Sequence, residues 1–326
     1  MNRILPWQHS QWSGLQQMRA QGRLPHALLL GGPAGLGKSR FAIEFALSLL
    51  CNSPGKDGTA CGACPACRLT AAGSHPDLRL IKPEDDGKWI KIDQIRELLD
   101  FVNLKSHFSG IRVAIIDPAE AMNRNAANSL LKTLEEPPPD TLLVLVADQP
   151  ARLPATIRSR CQQLRFSADD TAARAWLAQT LEGDHDLDTL LAITRRRPLV
   201  AAELVRSGEY AGRQPLLEAL RDLRAGRAEP VTVAAQWAKI GAARIYAMLN
   251  LLLLDLARIK TTGAQVGLTN ADLRQNLNEL AKGLDLRRIF AASDRLNEAE
   301  RLLASGSNVR EQDLLEDFTL DWATDR

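Results

Sequence analysis

Charge of one sign is what this chain most lacks. Across 326 residues, 41 Lys and Arg nearly cancel 39 Asp and Glu, leaving a formal net charge of +2. That balance excludes the global basic field behind autonomous nucleic-acid binding, so any DNA contact is expected to be local or made within an assembly. Long apolar runs are missing too. The most apolar stretch, Ile245 to Leu254, stops at Asp255 and is too short to span a bilayer. The amino terminus has no charged segment leading into an apolar core, so no secretory signal is read, and a soluble cytoplasmic chain is expected. Internal repeats and low-complexity segments are not visible. Cysteine is scarce: there are five, four of them bunched. In a cytosolic chain that bunching points to metal rather than disulfides. The remaining composition, 45% hydrophobic and 25% charged, is ordinary for a globular protein of two or three domains.

Against that background, local patterns stand out. An amphipathic helix over 10–18 and a short apolar strand over 26–30 lead into Gly31-Gly32-Pro33-Ala34-Gly35-Leu36-Gly37-Lys38-Ser39. Residues 32–39 match the phosphate-binding G-x-x-x-x-G-K-[ST] pattern, and a helix-forming segment, 40–50, follows. Strand, loop and helix are the context this pattern requires. Gly32, Gly35 and Gly37 let backbone N–H groups turn toward phosphates. Lys38 is placed to reach the β- and γ-phosphates, and Ser39 to hold Mg²⁺.

Cys51, Cys61, Cys64 and Cys67 then form C-x₉-C-x₂-C-x₂-C, with Gly, Ala, Pro and Ser among the intervening residues. Four thiolates at this spacing suit a tetrahedral, structural Zn²⁺ with no open position for chemistry. His75 is an alternative ligand, more in keeping with a capping or core residue. A strand over 78–81 and an amphipathic helix over 92–104 come next. A second apolar strand, 111–116, ends at Asp117, where a carboxylate would hold Mg²⁺.

Residues 127–161 carry the most distinctive text: ANSLLKTLEEPPPDTLLVLVADQPARLPATIRSRC. Leu130, Leu131 and Leu134 mark a helix that Pro137, Pro138 and Pro139 terminate. Thr141–Ala147 reads as a strand buried on both faces. Arg152 to Cys161 reads as a helix presenting an Arg in Ser159-Arg160-Cys161.

This stretch resembles the clamp-loader branch of the AAA+ ATPases, in which LLKTLEEPP and a later Ser-Arg-Cys are signatures. The phosphate loop, the cysteine insertion and the strand ending at Asp117 occur in the family's order. The resemblance implies an α/β AAA+ domain with a parallel sheet over 1–166 and a zinc-binding insertion over 51–67. A helical lid over 167–209 and an all-α collar over 210–326 would follow. It implies that Arg160 is an arginine finger offered to ATP on a neighbouring gamma/tau subunit. It also implies a ring shared with gamma/tau and delta subunits, which loads the β sliding clamp onto primed DNA.

Three departures from the family pattern bear on the pocket. Family ATPases follow the strand-end Asp with a water-activating Glu, but here Pro118 follows Asp117, and Glu120 lies too far along. The strand 141–147 ends in Ala147, followed by Asp148, where a polar sensor of the γ-phosphate is usual, and Asp148 beside a triphosphate would repel it unless Mg²⁺ or an Arg intervened. The lid segment Arg195-Arg196-Arg197-Pro198-Leu199 places Leu199 in the slot of a second sensing Arg. The expectation is a pocket that admits Mg-ATP but hydrolyses it weakly or not at all, which favours a non-motor subunit over the gamma/tau type.

Lid helices are expected over 171–180 and 186–193. Collar helices are expected over 213–225, 231–238, 241–260, 270–281, 285–304 and 310–322, with 241–260 apolar nearly all round and therefore buried. A P-loop nucleotide kinase would lack such a collar. A zinc-dependent DNA-binding module would carry more positive charge.

Overall fold

The computed structural model describes residues 4–84, 89–107, 110–263, 266–304 and 309–324. They fall into two compact units: Met1–Trp176 with Arg196–Leu199, and Leu177–Arg195 with Val200–Arg326.

The first unit is built on five parallel strands. These are β1 (Ala27–Gly31), β2 (Leu78–Ile81), β3 (Arg112–Ile116), β4 (Thr141–Ala147) and β5 (Gln162–Arg165), in the order β2-β3-β4-β1-β5. The three central strands are short and mostly apolar, and every residue in them is buried. A strand covered on both faces needs apolar side chains on both. The edge strands β2 and β5 are partly exposed; β5 is mostly polar, whereas β2 keeps Leu78, Leu80 and Ile81 around one Arg.

Because side chains alternate across a strand, each central strand feeds two cores. Leu28, Leu30, Ile115 and Val144 pack with Trp12, Phe41 and Phe45. Leu29, Ile116, Leu143 and Leu145 pack with Ile95, Leu98, Leu130 and Ile157 on the other face. The helices that supply these residues are α1 (His9–Ala20), α2 (Lys38–Leu50), α4 (Ile92–Asn103), α5 (Arg124–Glu135) and the single turn α6 (Ala155–Arg158), while α3 (Pro65–Ala71) packs Cys67 with Cys51 and Ala60 apart from them. The helix expected over 152–161 is thus shortened. Pro150 opens a separate 3₁₀ turn, Pro150–Arg152, and Pro154 stands immediately before α6.

Helices α7 (Asp170–Thr180), α8 (Leu187–Ile193) and α9 (Pro198–Arg206) follow. The second unit continues with α10 (Glu209–Arg224), α11 (Pro230–Ala238), α12 (Ala242–Thr262), α13 (Arg274–Lys282), α14 (Leu286–Ala304) and α15 (Glu311–Thr324). Its core joins Leu220, Trp237, Leu249, Leu252, Leu277 and Phe318. The Trp322 indole N–H is buried and donates to Leu220 O at 2.9 Å. Helix α12 is the apolar segment of the sequence, and ten of its residues are buried. Among the described residues, no single helix is long and apolar enough to cross a membrane.

The Asp255 carboxylate, which ends the apolar run in the sequence, is fully buried. It accepts the N–H groups of Thr269 (2.9 Å) and Asn270 (2.7 Å) and the Asn270 side-chain amide (2.8 Å). Asn270 Oδ1 in turn accepts from Arg213, which also forks onto Asp272 and lies over the Tyr210 ring.

Candidate functional site

The carboxyl ends of β1, β3 and β4 meet at one crest of the sheet, where parallel α/β folds place ligands. Gly31 is in register with Ala147, and Ile116 with Leu145. The Gly32–Gly37 loop leaves β1 here and enters α2 at Lys38. Gly35 and Gly37 have φ of 79° and 77°, left-handed values that glycine adopts without a steric penalty. The loop is held from outside by its carbonyls. Leu36 O accepts from the Trp7 indole (3.0 Å) and the Gln8 amide (2.8 Å), and Gly35 O accepts from Leu199 N (3.3 Å). An apolar residue thus lies against the loop at the slot where the resemblance implies a sensing Arg.

Lys38 lies under this loop, its side chain only 3% exposed. Its Nζ donates to Pro33 O at 2.8 Å and to Asp148 Oδ1 at 2.6 Å. The sequence reading set Asp148 against an incoming phosphate but missed that it pairs with Lys38. The available signal was an acid one residue beyond β4, level with the loop. Glu120 is remote from the role its type suggests: its Oε1 accepts the N–H groups of Asp148 (2.7 Å) and Gln149 (2.9 Å). Asp117 is half-buried beside Ser39. Burial raises its carboxyl above the ordinary range, and the hydrogen bond from Ser39 opposes that. Gly32, Gly35, Gly37, Lys38, Ser39 and Asp117 therefore lie around one crest.

The second cluster begins at the C-terminal end of α2, where Cys51 N donates to Leu47 O. The Sγ atoms of Cys51, Cys61, Cys64 and Cys67 all lie within 4.8 Å of one another. Cys51 and Cys64 are 3.9 Å apart, and Cys61 and Cys67 are 4.0 Å apart. A tetrahedral centre with Zn–S bonds of about 2.3 Å requires sulfurs about 3.8 Å apart, so the donor set fits. N–H groups of Cys61, Cys64 and Cys67 point at the sulfurs of Cys51, Cys61 and Cys64, which is how a knuckle stabilises thiolates. The N–H of Cys67 draws the Cys64 thiol down to about 6, while burial pushes the Cys67 thiol up to about 12. These four cysteines can hold a metal ion. His75 is outside the cluster: it is buried, and its Nδ1 accepts from Asp77 N at 3.0 Å.

Arg160 follows α6 on the first unit. Its guanidinium donates to Glu135 Oε1 at 2.5 Å and to Thr156 O at 2.9 Å, with the side chain 34% exposed. Glu135 belongs to the LLKTLEEPP text, so the two signatures meet in space. Cys161 is buried, and burial pushes its thiol up to about 11.

Comparison with known proteins places this arrangement. Residues 7–170 match the family described as DNA polymerase III, delta subunit, and residues 207–324 match its C-terminal family. The delta-prime subunit of DNA polymerase III from Pseudomonas aeruginosa is 37% identical over 98% of both chains. The chain belongs to the DNA polymerase III delta-prime family. The Escherichia coli delta-prime subunit is 30% identical, over 98% of this chain and 95% of its own. The tau/gamma subunit of Haemophilus influenzae is 39% identical but matches only 49% of this chain and 23% of its own. The tau/gamma match thus covers about half of this chain, whereas the Pseudomonas and Escherichia delta-prime chains match 98% of it. A gamma subunit-related protein from Thermotoga maritima shares the fold at a TM-score of 0.50, with 20% identity over 95% of this chain and 98% of that one.

Proposed function

We propose that this delta-prime chain works as a non-motor member of a clamp-loader ring with gamma/tau and delta subunits in the cytoplasm. Arg160 reaches the ATP of an adjoining gamma/tau subunit. Its guanidinium cannot lose its charge and offers a planar fork matched to phosphate. It neutralises charge on the transferring phosphoryl group with no acid–base role of its own. The assembled ring opens the β sliding clamp and places it on primed DNA, as part of the DNA-directed DNA polymerase III machinery. The chain itself divides into an AAA+ domain (1–166), a lid (167–209) and a ring-forming collar (210–326).

Cys51, Cys61, Cys64 and Cys67 hold one Zn²⁺, which ties the insertion to the end of α2. The crest of Gly32, Gly35, Gly37, Lys38, Ser39 and Asp117 admits Mg-ATP without turning it over. Pro118 follows Asp117, and Glu120 is engaged by the backbone of residues 148–149. The position after Asp117 therefore offers no carboxylate to activate water, and Glu120 is turned to the backbone through Oε1.

The observation that carries this reading is the full-length delta-prime match in a chain that keeps Arg160 and lacks the hydrolytic Glu. Mixing with gamma/tau and delta chains, followed by sizing and ATPase assay, tests it. One stable complex is expected, in which Arg160→Ala lowers DNA-stimulated ATPase partially. Failure to join the complex, or an ATPase unchanged by Arg160→Ala, would overturn it.

A further inference from the structure

The contact between Lys38 and Asp148 says more than that the pocket is impaired. A phosphate loop binds through its lysine because that ammonium is the main positive charge facing the β- and γ-phosphates. Here the ammonium is buried, and two acceptors already engage it: Pro33 O at 2.8 Å and Asp148 Oδ1 at 2.6 Å. The carboxylate stands at the carboxyl end of β4, one residue past Ala147, with its own side chain 45% exposed.

It is also held there. The N–H groups of Asp148 and Gln149 both donate to Glu120 Oε1. That pins the backbone from which the carboxylate projects, so Glu120 is a positioning residue for this contact. Asp117, hydrogen-bonded by Ser39, adds a second acid on the same crest. An entering phosphate would have to displace a carboxylate from a desolvated ammonium. It would then remain next to that carboxylate.

We propose that Asp148 is an internal counter-ion that occupies the phosphate-binding capacity of Lys38 and sets the nucleotide affinity of this pocket. The inference rests on the reading of the crest as a nucleotide pocket. It adds that one side chain limits the affinity rather than the loop, whose glycines, lysine and serine are intact.

The test uses the full chain and Mg-ATP, with binding followed by calorimetry. Asp148→Asn keeps the shape of the side chain and the backbone N–H to Glu120 while removing the charge. It is expected to bind Mg-ATP at least about tenfold more tightly than the parent chain, since a charge-paired lysine is freed. Adding Lys38→Ala to that variant should abolish the gain. Asp148→Ser provides a second uncharged side chain, and melting curves confirm that each variant is folded. Equal, measurable affinity of the parent and Asp148→Asn would overturn the counter-ion while leaving the nucleotide pocket standing. Absence of binding by both the parent and the uncharged variants would remove the pocket reading and the counter-ion with it.

Discussion

Arg160 has two jobs of very different size available to it. Its contact with Glu135 joins two partly exposed side chains, and such surface pairs contribute about 0–1 kcal/mol. A finger on a neighbour's phosphoryl group contributes roughly 10³–10⁵ in rate. The two roles therefore separate in one experiment. Arg160→Ala should shift the melting temperature of the isolated chain only slightly and leave its folding and metal content unchanged. In the reassembled complex it should strongly impair the one adjoining ATP site and spare the others. Arg160→Lys should impair the same site, because a point charge does not reproduce the fork. Glu135→Ala removes the intramolecular partner but not the guanidinium, so ATPase at that site should persist. A large loss of stability in Arg160→Ala, with normal ATPase, would reduce the residue to a structural salt bridge.

At the scale of single elements, the cysteine insertion is the most self-contained. Cys64 is both a ligand candidate and the N-cap of α3, its sulfur accepting the N–H of Cys67 at 3.5 Å. One zinc per chain is expected by elemental analysis of protein purified without chelator under reducing conditions. A value well below one would end the zinc assignment. Cys64→Ser, or chelation of the parent, should lower the melting temperature and expose the segment around 51–74 to protease, because structural metal binding contributes folding free energy directly. The cysteine spacing made this site readable in advance, as short apolar runs did for β1, β3 and β4. Strand β5 was not foreseen: Gln162–Arg165 lies at a sheet edge with mostly exposed side chains, so no apolar alternation betrays it. Helices α3 and α9 also went unread, although each begins with a proline, Pro65 and Pro198, at a position that favours helix starts. The Lys38–Asp148 pair was missed for another reason. Its members are 110 residues apart, and only the register of β1 against β4 brings them together.

For the molecule as a whole, the second unit depends on a charge inside its apolar core. The sequence shows Asp255 only as the end of an apolar run, whereas the fold uses it to bind the backbone at Thr269 and Asn270. Asp255→Ala would strand those donors in a buried setting, and a loss of about 3 kcal/mol is expected from denaturant unfolding. If this unit is the ring-forming collar, the same variant should also assemble poorly with gamma/tau and delta chains. An unfolding midpoint unchanged by Asp255→Ala would refute the claim. The phosphate loop has a different kind of dependence. A methyl group at Gly32 would stand 2.4 Å from the Phe166 carbonyl oxygen, and one at Gly37 would stand 2.7 Å from a methyl of Leu5. Those glycines answer to the packing of the domain, whereas Lys38 and Asp148 answer chiefly to each other. Lineages that give up nucleotides altogether should therefore shed lysine and aspartate together while the glycines endure, so that half a phosphate-binding signature in a descendant would record ancestry rather than activity.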